Sequence, residues 1–259
     1  MNDDGSRAGK LYVIGLGPGP ACWLTPEASD ALAEVTDLVG YFSYVERVAP
    51  REGLKVHGSD NRVEIDRSRH ALELAAAGKI VGVVSGGDPG VFAMAAAVLE
   101  ALENGPEAWR SLDIEIMPGV SAMQAAAARI GAPLGGDFCA ISLSDNLKPW
   151  SIIARRLEAA SAGDFVVALY NPASRARPMQ IHDAFALLRG LRPLSTPVAF
   201  ARAVGRPGER IVLTTLGEAD PGLADMSTLV IIGATTTRLI ARPGHRPFML
   251  TPRGYGAGR

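Results

Sequence analysis

The sequence predicts an α/β protein built as two domains. Three strand, glycine-turn, helix units stand in its first half, with strands at 10–15, 81–85 and 112–117. A Gly- and Pro-rich stretch without hydrophobic period, GAPLGGD at 131–137, reads as the linker to the second half. There, the turn signal Gly205-Arg206-Pro207-Gly208-Glu209 lies between strand-like runs and predicts antiparallel pairs in that sheet. The expected layout is a disordered lead at 1–9, an N-terminal α/β domain at 10–131, a C-terminal α/β domain at 138–242 and a Gly-rich tail at 243–259.

The first strand, Lys10-Leu11-Tyr12-Val13-Ile14-Gly15, runs into Gly15-Leu16-Gly17-Pro18-Gly19-Pro20. This opens like a dinucleotide loop, but prolines stand where such a helix would start and the third glycine is missing. The helix starts later, with Thr25 as N-cap and Pro26 at its first position. A second strand is expected at 37–41 and a short one at Val56-His57, where His57 reads as a strand residue and not a ligand. A long helix at 63–77 is expected, with Arg62, Arg67, Arg69 and His70 read mostly as a solvated face.

The central stretch is Val81-Gly82-Val83-Val84-Ser85-Gly86-Gly87-Asp88-Pro89-Gly90-Val91-Phe92. Its β-branched start reads as a buried parallel strand. Open α/β sheets bind ligands where loops leave the carboxyl ends of such strands, and glycines there let backbone approach a ligand. The competing reading is a tight turn with Asp88 as a cap. A helix follows from Phe92 to about Glu103. The strand at 112–117 leads to Pro118-Gly119-Val120-Ser121-Ala122 and an Ala-rich helix, with Ser121 expected as its cap. Three glycine loops on one sheet edge favour a common pocket over three structural turns. In the second half, strands are expected at 138–143, 164–170, 197–203, 209–214 and 228–232, and helices at 150–160 and 178–189.

Composition narrows the function classes. The 259 residues are 47% hydrophobic and 20% charged, with a formal net charge of −1. That range is ordinary for a globular protein, and the balance suggests neither nucleic acid nor an anionic membrane as partner. Cys22 and Cys139 have no metal-type spacing, so neither a zinc site nor a disulfide framework is expected, and a reduced cytoplasmic setting fits. No signal peptide and no apolar run of about 18 residues is seen.

Taken together and in order, Gly15-Leu16-Gly17-Pro18-Gly19, Ser85-Gly86-Gly87-Asp88-Pro89, Pro118-Gly119-Val120-Ser121-Ala122 and the last core strand closed by Gly233 resemble the class III S-adenosylmethionine (SAM) methyltransferases, the tetrapyrrole methylases of cobalamin and sirohaem synthesis. Three further stretches resemble the branch that methylates C17 of a corrin precursor. They are Gly40-Tyr41 with Tyr44-Val45, Ser142-Leu143-Ser144-Asp145-Asn146-Leu147-Lys148-Pro149-Trp150, and Ala168-Leu169-Tyr170-Asn171-Pro172-Ala173-Ser174-Arg175. Pro20 stands where many relatives carry Asp, and Asp60-Asn61-Arg62 is a less typical version of its segment.

The resemblance implies two α/β domains with SAM in the cleft between them, a homodimer, and S-adenosylhomocysteine as co-product. It implies that Pro18, Gly86, Gly87, Asp88, Val91, Phe92, Ser121 and Ala122 meet the cofactor from the first domain. Tyr170, Asn171, Ala203, Val204, Gly233 and Ala234 would meet its adenosine part from the second. Methyl transfer from SAM to a ring carbon needs orientation and water exclusion and no nucleophilic side chain. The ring contraction that the branch couples to it calls for a group that handles a hydroxyl proton, with Tyr44 and Asp145 as candidates ahead of Asp88. Arg62, Arg69, Lys148, Arg175 and Arg177 are candidate clamps for the substrate's carboxylates, each set against a plain surface charge. Methylation at C11 or C20, a cobalt-loaded substrate, a dinucleotide-dependent oxidoreductase and a non-catalytic corrinoid carrier are the alternatives.

Overall fold

The structure, a computed structural model, describes residues 9–60 and 63–254. The expected lead thus lies outside the described residues except for Gly9, which is buried. Contacts divide the chain into two units, 1–122 and 123–259. The division falls at the start of a helix and not at the expected linker.

Unit 1 contains β1 (Lys10–Gly15), α1 (Pro26–Glu34), β2 (Asp37–Tyr41), α2 (Phe42–Val45), β3 (Lys55–Ser59), α3 (Glu64–Ala76), β4 (Ile80–Ser85), α4 (Met94–Glu103) and β5 (Asp113–Met117). Its strands form a parallel sheet in the order β3-β2-β4-β1-β5. Alternate residues feed two cores, as strand geometry requires. Leu11, Val13, Val81 and Val83 pack with Ala71, Leu72, Met94 and Val98 of α3 and α4. Tyr12, Ile14, Leu38 and Val84 pack with Ala28 and Ala31 of α1. The neighbours β1 and β4 therefore send their helices to opposite faces. That reversal opens a crevice at their carboxyl ends, where α/β sheets bind ligands.

Two expectations are corrected here. Arg67 is not on a solvated face. It is buried, and its guanidinium donates to Ser59 Oγ at 2.8 Å and the Asp60 carbonyl at 2.6 Å. The helix after β4 starts at Met94 and not Phe92, because Phe92 adopts φ 53°. Ser85 Oγ, at the strand end, accepts from Met94 N, the first N–H of that helix, at 3.2 Å.

Unit 2 follows with α5 (Ala122–Ile130, whose first residue closes unit 1), β6 (Gly131–Ala132), β7 (Phe138–Ser142), α6 (Trp150–Ala162), β8 (Val166–Tyr170), α7 (Gln180–Leu191), β9 (Pro197–Arg202), β10 (Arg210–Thr215), β11 (Thr228–Ile232), β12 (Arg238–Arg242) and β13 (His245–Leu250). The main sheet runs β10-β9-β11-β8-β7, with β7 and β8 parallel and the other pairs antiparallel. The 205–209 turn joins an antiparallel pair, as its sequence predicts. Leu143, Ile153, Leu157, Leu169, Phe185 and Phe200 centre the core.

Of the expected tail, residues 255–259 lie outside the described residues, and 245–250 form the second strand of a hairpin. β12 pairs with β13, and β13 pairs in turn with β6. Met249 is fully buried, and the Thr251 hydroxyl donates to the Pro133 carbonyl at 2.6 Å. The stretch read as a linker thus begins with a short paired strand, Gly131–Ala132, whose partner is more than a hundred residues away, and continues as turn.

Candidate active site

In unit 1 the three glycine loops meet. Leu16 N donates to the Ser85 carbonyl at 2.9 Å, and Gly17 and Gly87 exchange backbone bonds of 3.1 and 2.9 Å as an antiparallel bridge. Both glycines have positive φ, 65° and 77°, which L side chains rarely adopt. The third loop packs underneath. A Cβ on Gly119 would press on the Gly87 carbonyl and stand 3.1 Å from the Gly15 backbone.

Asp88 joins these loops. Its Oδ1 accepts from Gly90 N at 2.8 Å and its Oδ2 from Gly119 N at 3.1 Å. It closes a turn and ties the second loop to the third; the N-cap of α4 is Ala93, and Ser85 Oγ accepts from Met94 N. The other first-domain candidates lie on the same edge. Pro18 is half-buried, Val91 and Phe92 follow Asp88 with Phe92 exposed, and Ser121 is buried beside Ala122. Thr25 caps α1, accepting from Ala28 N, and its hydroxyl donates to the Pro118 carbonyl at 3.2 Å.

Tyr44, a candidate for proton handling, lies against the second loop. A Cβ on Gly86 would stand 2.7 Å from its ring and 3.1 Å from its hydroxyl. Tyr41 meets the Tyr44 ring edge-on at 5.6 Å. The same segment carries Arg47, which the sequence reading passed over. Its Nη2 donates to the carbonyls of Leu16, Gly17 and Gly19 at 2.9, 3.0 and 3.0 Å.

In unit 2 the strand directions sort the candidates. The carboxyl ends of β7, β8 and β9 share one edge with the amino end of β11. Asp145, Tyr170, Asn171, Ala203 and Val204 stand at that edge. Tyr170 Oη accepts from Met123 N at 3.1 Å, and Asn171 Nδ2 donates to Ser142 Oγ at 2.9 Å. Asn171 and Ala203 have φ of 51° and 49°. With Phe92 they make three of the four non-glycine positive-φ residues among the described residues. Backbone strain of this kind gathers at functional sites.

Gly233 and Ala234 are not at that edge. β11 runs antiparallel to β8 and β9, so its carboxyl end lies at the far end of the sheet. Their backbone is already engaged. Gly233 N donates to the Pro197 carbonyl, Arg192 Nη1 donates to the Gly233 carbonyl at 2.6 Å, and Ala234 N donates to Thr237 Oγ1 at 2.8 Å. The segment before β11 stands at that edge instead: the Ser227 carbonyl accepts from Ala203 N at 2.9 Å. A cavity of about 490 Å³ adjoins it, lined by Ala173, Arg175, Ile181, His182, Met226 and Ser227 among others. The continuous apolar run Thr228-Leu229-Val230-Ile231-Ile232 identifies the strand but carries no sign of its direction.

Asp145 Oδ2 accepts from Gln180 Nε2 at 2.9 Å. Of the basic candidates, Arg62 lies outside the described residues and Arg69 is exposed on α3. Arg175 is exposed at the cavity, and Lys148 is half-buried. Burial, with Arg156 nearby, lowers the Lys148 pKa. Arg177 is corrected: it is buried, and its Nη1 donates to the carbonyls of Leu143 and Asn171, both at 3.4 Å. It organises the loop after β8 and is neither a clamp nor a surface charge. Burial pushes the Cys139 thiol up, against a smaller opposite effect of Arg192, which makes it a poor nucleophile. No cluster of three metal-type side chains occurs among the described residues.

The tetrapyrrole (corrin/porphyrin) methylase family matches residues 10–220. This chain belongs to that family. Precorrin-3B C(17)-methyltransferase of Sinorhizobium sp. is 57% identical to it over 247 residues, 95% of this chain and 97% of that one. A probable cobalt-factor III C(17)-methyltransferase of Salmonella typhimurium is 43% identical, over 95% of this chain and 99% of the relative. A crystal structure of the methyltransferase CobJ superposes with a TM-score of 0.90 at 52% identity, covering 94% of this chain and all of that one. Among the described residues of this chain, no helix is long and apolar enough to cross a membrane.

Proposed function

We propose that this methylase transfers a methyl group from SAM to C17 of precorrin-3B, with ring contraction to precorrin-4. The observation that carries the reading is the 57% identity, over nearly the full length of both chains, to a precorrin-3B C(17)-methyltransferase. The residues present fit the cofactor. The glycines of unit 1 let three loops pack on one another at the carboxyl edge of a parallel sheet, where such folds bind ligands, and the strained Phe92, Asn171 and Ala203 stand among the residues assigned to it. When bound, SAM supplies an electrophilic methyl group, and the displaced product is S-adenosylhomocysteine.

Pro18, Gly86, Gly87, Val91, Phe92, Ser121 and Ala122 then hold the methionine end and border the substrate. Asp88 serves chiefly by fixing the second and third loops. Tyr170, Asn171, Ala203 and Val204 hold the adenosine, with Met226 and Ser227 beside them and Gly233 and Ala234 left to a structural role. The residues' task in methyl transfer is alignment and exclusion of water. Tyr44 or Asp145 takes the hydroxyl proton that ring contraction releases, and Arg69, Lys148 and Arg175 remain the described candidates to meet substrate carboxylates. We take the working form to be a cytoplasmic homodimer.

The test is incubation of the purified protein with SAM and precorrin-3B, with mass and absorption spectra of the product. Gain of one methyl with a ring-contracted spectrum is expected. Turnover of the cobalt-loaded precursor alone would favour the second reading, which the 43% identity to the Salmonella relative supports. Tyr44→Phe and Asp145→Asn are expected to separate the two events, with methyl gain kept and contraction slowed in at least one. Full contraction in both would remove them as proton carriers. Sedimentation of the protein reads the dimer directly.

A further inference from the structure

Pro18 sits in a loop that cannot hold itself. Pro18 and Pro20 have no N–H, and the bonds tying the loop to the rest of the sheet edge, Leu16 N to Ser85 and Gly17 with Gly87, lie at its start. Beyond Gly17, the carbonyls on both sides of Pro18 turn toward one atom. Arg47 Nη2 lies 2.9 Å from the Leu16 oxygen and 3.0 Å from those of Gly17 and Gly19. Two hydrogens serve three acceptors, so the loop is wrapped around a single charged donor. The Gly17 oxygen is held from two sides, since it also accepts from Gly87 N at 2.9 Å.

The element that brings Arg47 there also supports the second loop. Arg47 N donates to the Tyr44 carbonyl at 3.1 Å, and the Tyr44 ring fills the space beside Gly86. One short segment, 41–47, therefore braces the Gly15–Gly19 loop through a guanidinium and the Gly86–Gly87 loop through an aromatic ring. A lysine would not reproduce this: its ammonium is a compact, strongly hydrated charge without the planar reach of guanidinium.

We propose that Arg47 is a positioning residue of the cofactor site, which holds Pro18 and its flanking carbonyls in the ligand-ready conformation through backbone contacts. This rests on the reading that the glycine loops bind SAM. Bonds from a charged donor to a neutral acceptor are stronger than neutral ones. Losing three of them should cost about 10- to 100-fold in cofactor affinity.

The experiment has two arms, on wild type, Arg47→Ala and Arg47→Lys. The first measures S-adenosylhomocysteine binding by calorimetry and KM for SAM, with and without added guanidinium, against sodium chloride at equal ionic strength. Arg47→Ala should bind about 10- to 100-fold more weakly with its cooperative unfolding intact, guanidinium should restore part of the loss in this variant only, and Arg47→Lys should fall between. The second arm follows hydrogen exchange of residues 15–24 in the ligand-free proteins. Faster exchange confined to that segment in both variants is expected. Wild-type affinity together with unchanged exchange overturns the proposal, and if Arg47→Ala does not fold, Arg47→Lys is judged by the same two readouts. Absence of cofactor binding by the wild type would instead overturn the functional reading, and the exchange arm would still decide whether Arg47 holds the loop.

Discussion

At the scale of single residues, the site is built from atoms that leave no room for others. A methyl group on Gly119 would meet the Gly87 carbonyl and the Gly15 backbone. These are backbone atoms that cannot rotate away. Gly119→Ala should lower stability by about 1–3 kcal/mol, as overpacking does, and weaken S-adenosylhomocysteine binding; denaturant titration and calorimetry check both. Retention of wild-type affinity would mean that the third loop does not shape the site.

A second prediction concerns acid stability. Burial acts to raise the Asp37 pKa, but bonds from His57 and Thr36 and the nearby Lys55 charge outweigh it and hold the carboxyl below its usual value. His57 Nε2 stands 2.9 Å from Asp37 Oδ1, and His70 Nε2 stands 3.1 Å from His57 Nδ1. A folded pKa below the unfolded one, about 3.9, means stability that is present above that pH. It is lost as pH falls through the folded value. Asp37→Asn should therefore be less stable than wild type at neutral pH and show a smaller stability loss below about pH 4, read from denaturant midpoints across pH. Parallel curves for the two proteins would contradict this.

At the scale of elements, the strained junctions follow the strands that end at the candidate site. Asn171 follows β8, and Ala203 follows β9. Alanine in the left-handed region costs about 1–2 kcal/mol relative to its preferred conformations. Ala203→Gly should recover part of that, raising the unfolding midpoint by an amount near 1 kcal/mol. It should also weaken the cofactor if the strain holds the loop for a ligand. A gain in stability with unchanged affinity would assign the strain to the turn itself, which Ala203 closes by accepting from Arg206 N and donating to Ser227.

Buried guanidinium groups act at the same scale, as connectors between elements. Arg192 donates to Ser161 Oγ and to the carbonyls of Ala160, Phe165 and Gly233, so one side chain joins the end of α6, the start of β8 and the end of β11. Burial lowers its pKa, with Asp164 and Cys139 acting the other way. Arg67 and Arg177 do comparable work at β3 and after β8. In sequence each is one more basic residue on a polar helix face or loop. Only the packed neighbours show that its partners are backbone carbonyls.

At the scale of the whole molecule, cofactor binding and folding are linked. A ligand that binds only the folded state stabilises it by about 2.7 kcal/mol at a hundredfold excess over its dissociation constant. S-adenosylhomocysteine at that excess should raise the unfolding free energy by this amount, measured in denaturant, while NADH should leave it unchanged. A shift with NADH would revive the oxidoreductase that Pro18 and Pro20 argue against.

The sequence by itself determined the α/β class, the parallel strands of unit 1 and the three glycine loops on their carboxyl edge, and through those motifs the family. These features are local: β-branched runs, glycines at positive φ and a Thr-Pro helix start fix their conformation within a few residues. Only the tertiary structure decided which way β11 points, and with it that Gly233 and Ala234 lie away from Asn171 and Ala203. It alone joined the 238–250 hairpin to Gly131–Ala132, a partner distant in the chain. It alone set Arg47 against three carbonyls and buried Arg67 and Arg177. A hydrophobic pattern reports how often a residue turns inward, and says nothing of the strand direction or of which distant backbone a charged side chain will meet.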